Sequence, residues 1–293
     1  MTIYNYGSIN IDHVYRVPHL VKSGETLASQ SYQALLGGKG ANQSIALARA
    51  GAEVRHIGRY GQNDDWVLKP LKEAGVNCEL VNTSGLPSGH AIIQVDDKAE
   101  NSIILYAGAN HSFTATELPI LLNDAQQGDW LLLQNECSCT AEMIHLAAQK
   151  GLKVAFNPAP MTGTVKNLSL TSLSLLIVNE VEVLQLLDLT TFDLAHIVQV
   201  LTHHYPHLAI IITLGAKGAV WVDQKQVIEV PAIPVKAVDT TGAGDTFIGF
   251  ALAALSQGRD IHYALELGCK AAAICVQRVG AAQSIPTLQE VLA

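Results

Sequence analysis

The sequence predicts an α/β protein: a doubly wound, mainly parallel sheet with helices on both faces, plus a small β-sheet lid at one edge. Strand and helix signals alternate along most of the chain, the pattern of stacked β-α-β units. Several strand candidates are almost continuously apolar, as in Leu208-Ala-Ile-Ile-Ile212, and such strands suit a sheet covered on both faces. Two stretches interrupt the alternation with extended segments and no intervening helix, and they define the lid.

In chain order, body strands are expected at Ile3–Ser8, Val54–Tyr60, Trp130–Gln134, Lys153–Phe156, Leu175–Val178 and Leu208–Leu214. Helices are expected between them at Ala41–Ala50, Trp66–Ala74, Thr140–Gln149, Glu180–Leu187 and Leu194–His203. A strand-like run at Ile233–Val238 leads into two long, alanine-rich helices, Gly242–Ser256 and Ile261–Gln277. Both are apolar on more than one face, so both should be buried. The first interruption covers roughly residues 11–36 and alternates polar with apolar, as in Ser29-Gln-Ser-Tyr-Gln-Ala-Leu-Leu36. The second, roughly 88–107, reads as a hairpin: His90–Val95, a turn at Asp96–Asn101, then Ser102–Tyr106. The body thus comprises residues 1–10, 37–87 and 108–293, with the lid inserted as 11–36 and 88–107. A sheet that small needs its apolar face covered by a substrate or a second subunit.

The chain has 293 residues, 49% hydrophobic and 15% charged, enough to bury one large core. Mean hydropathy is +0.24, yet no run approaches the roughly 18–20 apolar residues of a membrane span. The start lacks a basic patch followed by an apolar stretch, so a cytoplasmic protein without a membrane partner is expected. A net charge of −8 argues against a nucleic-acid partner, which wants a basic face. Five cysteines, an odd number without an export signal, are expected as reduced thiols, and Cys137-Ser-Cys139 lacks a second ligand pair for zinc.

The chemistry-bearing segment is Asp239-Thr-Thr-Gly-Ala-Gly-Asp245 at the start of a helix. Glycines at Gly242 and Gly244 let backbone amides approach a ligand, and the helix dipole points its positive end at the same spot. The amides of Gly242, Ala243 and Gly244 can therefore receive charge developing on a transferred phosphoryl group. Asp245, in the first turn, can accept a proton from an attacking hydroxyl. A plain glycine-rich turn with an acidic first-turn residue is the alternative reading.

Other short motifs accompany it in a fixed order: Gly7-Ser-Ile-Asn-Ile-Asp12, Gly37-Gly-Lys-Gly-Ala-Asn-Gln43, Ala107-Gly-Ala-Asn110, Asn157-Pro-Ala-Pro160, Asn179-Glu-Val-Glu182 and Thr213-Leu-Gly-Ala-Lys-Gly218. The ordered set, over essentially the whole chain, resembles the ribokinase-like carbohydrate kinases, the PfkB family, whose C-terminal signature reads D-T-x-x-A-G-D. The resemblance implies an ATP-dependent kinase with Asp245 as base and Gly242, Ala243 and Gly244 as anion hole. It matches Asn179 and Glu182 to the motif that orders Mg²⁺ through water, in keeping with that ion's preference for oxygen ligands and retained waters. By their own pattern these two residues form a helix cap. Thr213, Gly215 and Gly218 match the loop along the nucleotide, while also fitting a tight turn. The resemblance further implies a K⁺ site at Asp239, Thr241, Gly280 and Ser284, and a homodimer paired through the lids.

At the acceptor end, Gly37-Gly38 permit close backbone contact with a polyol, and Lys39 and Asn42 supply donors. The Walker A spacing is absent, and Gly7-Ser-Ile-Asn lacks a dinucleotide fingerprint, which lowers the oxidoreductase reading. Asn10 and Asp12 follow the first strand, and Glu136 follows Trp130–Gln134, so all three should sit at the carboxyl edge of the sheet. Positions matching Asn10, Asp12, Gly38, Lys39, Asn42 and Glu136 contact the sugar in the family; alone, each is ordinary loop polarity. The strings around Asp12 and Lys39 are most similar to the ribokinase branch, implying phosphorylation of a free sugar, D-ribose to ribose 5-phosphate. Asn135, where an apolar residue is usual, and Cys269, where Asn or His is common, depart from the branch. His90 on the lid either touches the acceptor or is solvated. A kinase of another acceptor (deoxyribose, a ketohexose or a nucleoside), a non-catalytic sensor and an NAD-linked oxidoreductase are the rival readings.

Overall fold

The computed structural model describes residues 1–98 and 100–293. The chain enters through β1 (Thr2–Tyr6), passes into β2 (Asn10–Arg16) and β3 (Ser31–Gly37), and returns through α1 (Lys39–Arg49). There follow β4 (Glu53–Gly61), α2 (Leu68–Glu73), β5 (Asn77–Ser84), β6 (Gly89–Val95), β7 (Asn101–Tyr106), α3 (Leu118–Leu121), β8 (Trp130–Gln134), α4 (Thr140–Gln149) and β9 (Lys153–Asn157). The remainder is β10 (Leu175–Asn179), α5 (Glu180–Leu187), α6 (Leu194–His204), β11 (Ala209–Thr213), β12 (Ala219–Val222), β13 (Val227–Val230), α7 (Ala243–Ser256), α8 (Ile261–Cys275) and α9 (Leu288–Leu292).

Nine strands form one sheet in the order β13-β12-β11-β10-β9-β8-β1-β4-β5. From β11 to β5 every pairing is parallel; β12 and β13 add an antiparallel edge. Side chains alternate between the two faces, as the pleat requires. Ile3, Leu132, Ala155, Ile177 and Ile211 point into one core, filled from α1, α7 and α8 by residues such as Ile45, Phe250 and Leu265. Tyr4, Tyr6, Leu131, Leu133, Phe156 and Ile212 point into the other, against Met143, Val183 and Ile197. Both faces of the sheet are thus covered by buried apolar side chains, which is why the central strands are so largely apolar.

From β1 the chain builds outward through β4 to β5, and from β8 outward through β9 and β10 to β11. The strand order therefore reverses between β1 and β8. Such a switch point leaves a crevice at the carboxyl ends of the two strands, where ligands of open α/β sheets bind.

The lid is a separate four-stranded sheet, ordered β3-β2-β6-β7, with β2 and β6 parallel and both hairpin pairs antiparallel. Asn10 pairs with both Gly37 and Gly89, so the lid begins where the body's first strand ends. Part of the expected turn at Asp96–Asn101, Ala99, lies outside the described residues. Around it, Asp96 Oδ1 accepts from the amides of Lys98 (2.8 Å) and Glu100 (2.9 Å).

The run Ile233–Val238 is not a strand, contrary to expectation. Pro231 and Pro234 have no N–H to give to a ladder. The segment crosses the surface until the amides of Val238 and Asp239 reach the carbonyl of Val276, at 2.7 and 3.1 Å. No helix among the described residues is long and apolar enough to cross a membrane.

Candidate active site

Three elements converge at the switch point. β1 ends at Tyr6 and hands on to Gly7–Asn10; α1 begins over the same spot; β8 delivers Glu136 just past its end. Ser8 ties them together. Its hydroxyl donates to Glu136 Oε2 and accepts from the amide of Gly40 at 3.2 Å, while its carbonyl accepts from Ala41 N at 2.9 Å. The amide of Lys39 also donates to Glu136 Oε2, at 3.2 Å. Asn10 and Asp12 ride on β2 rather than in a loop. The side chain of Asn10 is buried and accepts from Asn110 Nδ2 at 2.8 Å, and Asn110 Oδ1 in turn accepts from Ile9 N at 3.0 Å.

A cavity of about 180 Å³ opens beside this cluster. Lys39, Asn179, Glu182, Thr213, Gly242, Gly244 and Asp245 line it, over a floor of Ile177, Val178 and Ile248. Asp245 stands where the two halves meet. Its Oδ2 accepts from Asn42 Nδ2 at 3.0 Å and its Oδ1 from Gln43 Nε2 at 2.9 Å, so the helix start of α1 grips the first turn of α7. Gly242 caps α7 with φ of 75°, a left-handed conformation that favours glycine. Thr240 and Thr241 lie outside the helix, so its first-turn amides have no intrahelical acceptor. The amide of Ala243 does have a local one, the Thr240 carbonyl at 3.2 Å.

One ammonium sits among four carboxylates. Burial works against the charge on Lys39, but Asp245, Glu136, Glu182 and Asp12 together outweigh it and raise its pKa. Burial raises Asp245, against the opposing pull of Lys39, Gln43 and Asn42. Burial also raises Glu136 and Glu182, opposed in both by Lys39. Asp12 is pushed up to about 6, first by burial and then by the Glu136 charge.

The Asp12 shift has a stability consequence. Its folded pKa lies above the ordinary value of 3.8, so the folded state holds the proton more tightly than the unfolded chain. Stability should therefore fall as pH rises from about 4 to about 6, and stay reduced above that window. The variant Asp12→Asn is expected to be more stable than the parent near neutral pH, by up to about 2 kcal/mol. Denaturant melts should show the gain shrinking as pH falls from about 6 and gone below pH ~3, where Asp12 is protonated in both states.

The other expected positions are distributed as follows. Asn179 and Glu182 do form the cap of α5: Asn179 Oδ1 accepts from Glu182 N at 2.8 Å and Glu182 Oε2 accepts from Asn179 N at 3.0 Å. Capping and lining the cavity coexist in the same two residues. Of the nucleotide-loop residues Thr213 lines the cavity, whereas Gly215 is exposed and Gly218 is buried against the backbone of Val230–Ala232. Asp239 joins two segments, accepting from Thr241 N (2.9 Å) and Thr241 Oγ1 (2.7 Å) on one oxygen and from Gly280 N (2.9 Å) on the other. These bonds outweigh burial and lower its pKa, keeping it ionised. Ser284 is buried nearby but bonds Ala281 O at 2.7 Å and Cys275 Sγ at 3.0 Å instead. Gly38 stands at the N-cap of α1.

Sequence reasoning assigned no role to Gln43, Asn110, Asn157 or Ser8, all buried at or beside the site. Asn135 turns away from the acceptor cluster and bonds Pro160 O (2.8 Å) and Thr162 Oγ1 (3.0 Å). The His90 ring packs between His13 and Tyr106, with Nδ1 at 3.0 Å from Ser88 O. Cys269 is buried in α8.

Comparison with known proteins gives this geometry a family. A ribokinase of Haemophilus influenzae is 40% identical over 305 residues, spanning 99% of this chain and 97% of that protein. The crystal structure of a Cryptococcus neoformans ribokinase in complex with ADP superposes with a TM-score of 0.88 at 34% identity, covering 99% of this chain and 98% of that one. The Arabidopsis thaliana ribokinase complexed with ribose and ATP superposes with a TM-score of 0.89 at 30% identity, covering 99% and 97%. The family model for pfkB family carbohydrate kinases matches residues 2–288. The chain belongs to the pfkB family of carbohydrate kinases.

Proposed function

We propose that the protein transfers the γ-phosphoryl group of ATP to the primary hydroxyl of a free sugar, D-ribose, giving ribose 5-phosphate. One observation carries the reading: the Asp245 carboxylate joins the α1 start, with its polar cluster, to the α7 start, whose first-turn amides have no intrahelical acceptor. A hydroxyl held on one side of that carboxylate faces a phosphoryl group held on the other. Ribose and ATP are the molecules bound in the Arabidopsis structure that matches 99% of this chain.

In this reading Asn10, Asp12, Lys39, Asn42 and Glu136 hold the sugar hydroxyls, with Gly38 allowing close backbone approach. Asp245 takes the proton as the hydroxyl attacks. The amides of Gly242, Ala243 and Gly244, with Lys39, receive the charge of the transferred group. Ligand binding draws the Ala243 amide from Thr240 to the phosphate. Four carboxylates around one lysine disfavour a sugar that already carries a phosphate, which supports a free acceptor. Thr213, Gly215 and Gly218 follow the nucleotide. Lid closure excludes water that would otherwise hydrolyse ATP.

The oxygen donors Asn179 and Glu182 at the cavity wall fit a water-mediated Mg²⁺, which when bound neutralises phosphate charge. Asp239, held ionised and bonded to Thr241 and Gly280, fits a K⁺ site, with Ser284 as a further oxygen donor, that would supply fixed positive charge behind the α7 start. The protein acts in the cytoplasm, where ATP is available.

The lid supports a homodimer. On the edge strand β7, Ile103, Ile104, Leu105 and Tyr106 are 52%, 61%, 59% and 48% exposed, an unbroken apolar row beside an unpaired ladder. A second copy of the lid covers it. Ile104→Lys is expected to halve the mass seen by sedimentation, while an unchanged mass would remove the lid from the interface.

The direct test is a panel of ribose, deoxyribose, fructose and nucleosides with MgATP, with and without K⁺. Ribose should give the highest kcat/KM, and K⁺ should raise it. Negligible ribose turnover beside rapid use of another acceptor would sink the ribose assignment.

A further inference from the structure

Behind Asp245 lies a row of buried side-chain amides that no part of the proposed chemistry uses. Asn5, Gln43 and Gln134 are at most 1% exposed, and Asn157 is 6% exposed. A buried amide turned the wrong way leaves a donor facing a donor, so orientation matters greatly here. The order of donors can be worked out from fixed ends. The carbonyl of Gly40 can only accept, so the Asn5 atom 2.8 Å from it is Nδ2. Asn5 Oδ1 then faces Gln134 and accepts from Gln134 Nε2 at 3.0 Å. The same Nε2 gives its second hydrogen to Gln43 at 2.7 Å, so the Gln43 atom there is Oε1. Gln43 Nε2 is thereby left pointing at Asp245 Oδ1, 2.9 Å away.

A second fixed end agrees. The Ile177 carbonyl on β10 accepts from Asn157 Nδ2 at 3.0 Å, which leaves Asn157 Oδ1 to accept from Gln43 Nε2 at 3.3 Å. Two backbone carbonyls, one at the start of α1 and one on β10, therefore dictate the same orientation of a single glutamine. We infer that Gln43 is a positioning residue of the phosphoryl-transfer site, held by this relay so that its N–H always faces Asp245 and keeps that carboxylate in one orientation. The inference rests on the assignment of Asp245 as the base. The relay also opposes the upward push of burial on Asp245, because a donor stabilises the ionised form.

Gln134 makes the test sharp, since it reaches Asp245 only through Gln43. Gln43→Met removes the donor at nearly constant volume. It should lower kcat about 10- to 100-fold, the worth of one hydrogen bond to a charged group. The acid limb of the kcat–pH profile should move up by about one unit, with the sugar KM within about twofold. Gln134→Met removes one of the two constraints on the Gln43 amide and leaves Asn157 as the other, so it should move kcat and the acid limb in the same direction by a smaller amount. The double variant should be no worse than Gln43→Met alone, the non-additivity of two residues in one relay.

An unmoved acid limb in Gln134→Met, or single-variant losses that multiply in the double, would overturn the relay. If the variants do not fold, side-chain amide NMR on the wild-type and Asp245→Asn proteins decides. The Gln43 Nε2 resonances should shift on substitution, and unshifted resonances count against the contact. Failure of the base assignment looks different: Asp245→Asn would then keep its turnover, whatever Gln43 does.

Discussion

Asp245→Asn is expected to lower kcat by about 10²- to 10⁴-fold, the usual worth of a well-placed general base. Binding of ribose and of ADP should change little if, as proposed, Asn10, Asp12, Lys39, Asn42 and Glu136 hold the acceptor and the cavity wall holds the nucleotide. The variant is not electrostatically silent. Asp245 presents acceptors to two donors, Asn42 Nδ2 and Gln43 Nε2, and an asparagine must turn its own N–H toward one of them. Calorimetry with each ligand separates the two effects: near-parental affinities with lost turnover fit a base. Proportional losses in affinity and turnover would mean that the carboxylate mainly holds the site together.

The second large effect is structural. At Gly40 an added Cβ falls 2.3 Å from Ser8 N and 2.4 Å from the Gly7 carbonyl carbon, both backbone atoms that cannot swing aside. Gly40→Ala must push α1 off the β1–β2 connection, and with it Lys39 from Glu136 and Gln43 from Asp245. A loss of about 3 kcal/mol is expected, which overpacking of a tight contact reaches. The melting temperature should fall by roughly 5–10 °C, and the sugar KM should rise more than about tenfold. Gly85→Ala is the control, since its added Cβ meets nothing within 4 Å, and it should shift stability by no more than about 0.5 kcal/mol.

The body of the fold was legible because its central strands are buried on both faces and so read as apolar runs: Trp130–Gln134, Leu175–Val178 and Leu208–Leu214 fall on or beside β8, β10 and β11. Elements at the sheet's margins were not. β5 and β13 pair on one side only and expose much of their length, so their sequences carry little apolar signal. Ile233–Val238 carried the opposite error, a strand-like composition whose neighbouring prolines cannot feed a ladder.

Within the site, the glycines and aspartates of Asp239–Asp245 stood out because turns and helix starts demand particular residues. The amide relay did not, because Gln43 on a helix looks like a solvent-facing residue. A signal was nevertheless present: Asn5 sits inside the apolar strand of Ile3 and Tyr6, and Gln134 ends the Trp-Leu-Leu-Leu run. A polar residue within a buried strand must find partners, and tracing Asn5 and Gln134 to theirs leads to Gln43. Asn10 and Asp12 were expected just after the first strand, with Asn10 counted in the body, but both lie on β2 of the lid sheet, through pairings of Asn10 with Gly37 and Gly89 and of Asp12 with Leu35 and Ala91, distant in sequence.

The central claim is that this crevice directs phosphoryl transfer from ATP to the primary hydroxyl of ribose. The most direct measurement is ³¹P NMR of the reaction of MgATP with D-ribose, followed to completion with purified protein. The account predicts one phosphomonoester, its phosphorus coupled to the two protons of C5, formed in step with ADP. Phosphate on the anomeric oxygen, inorganic phosphate in place of a sugar ester, or unconsumed ribose would contradict it.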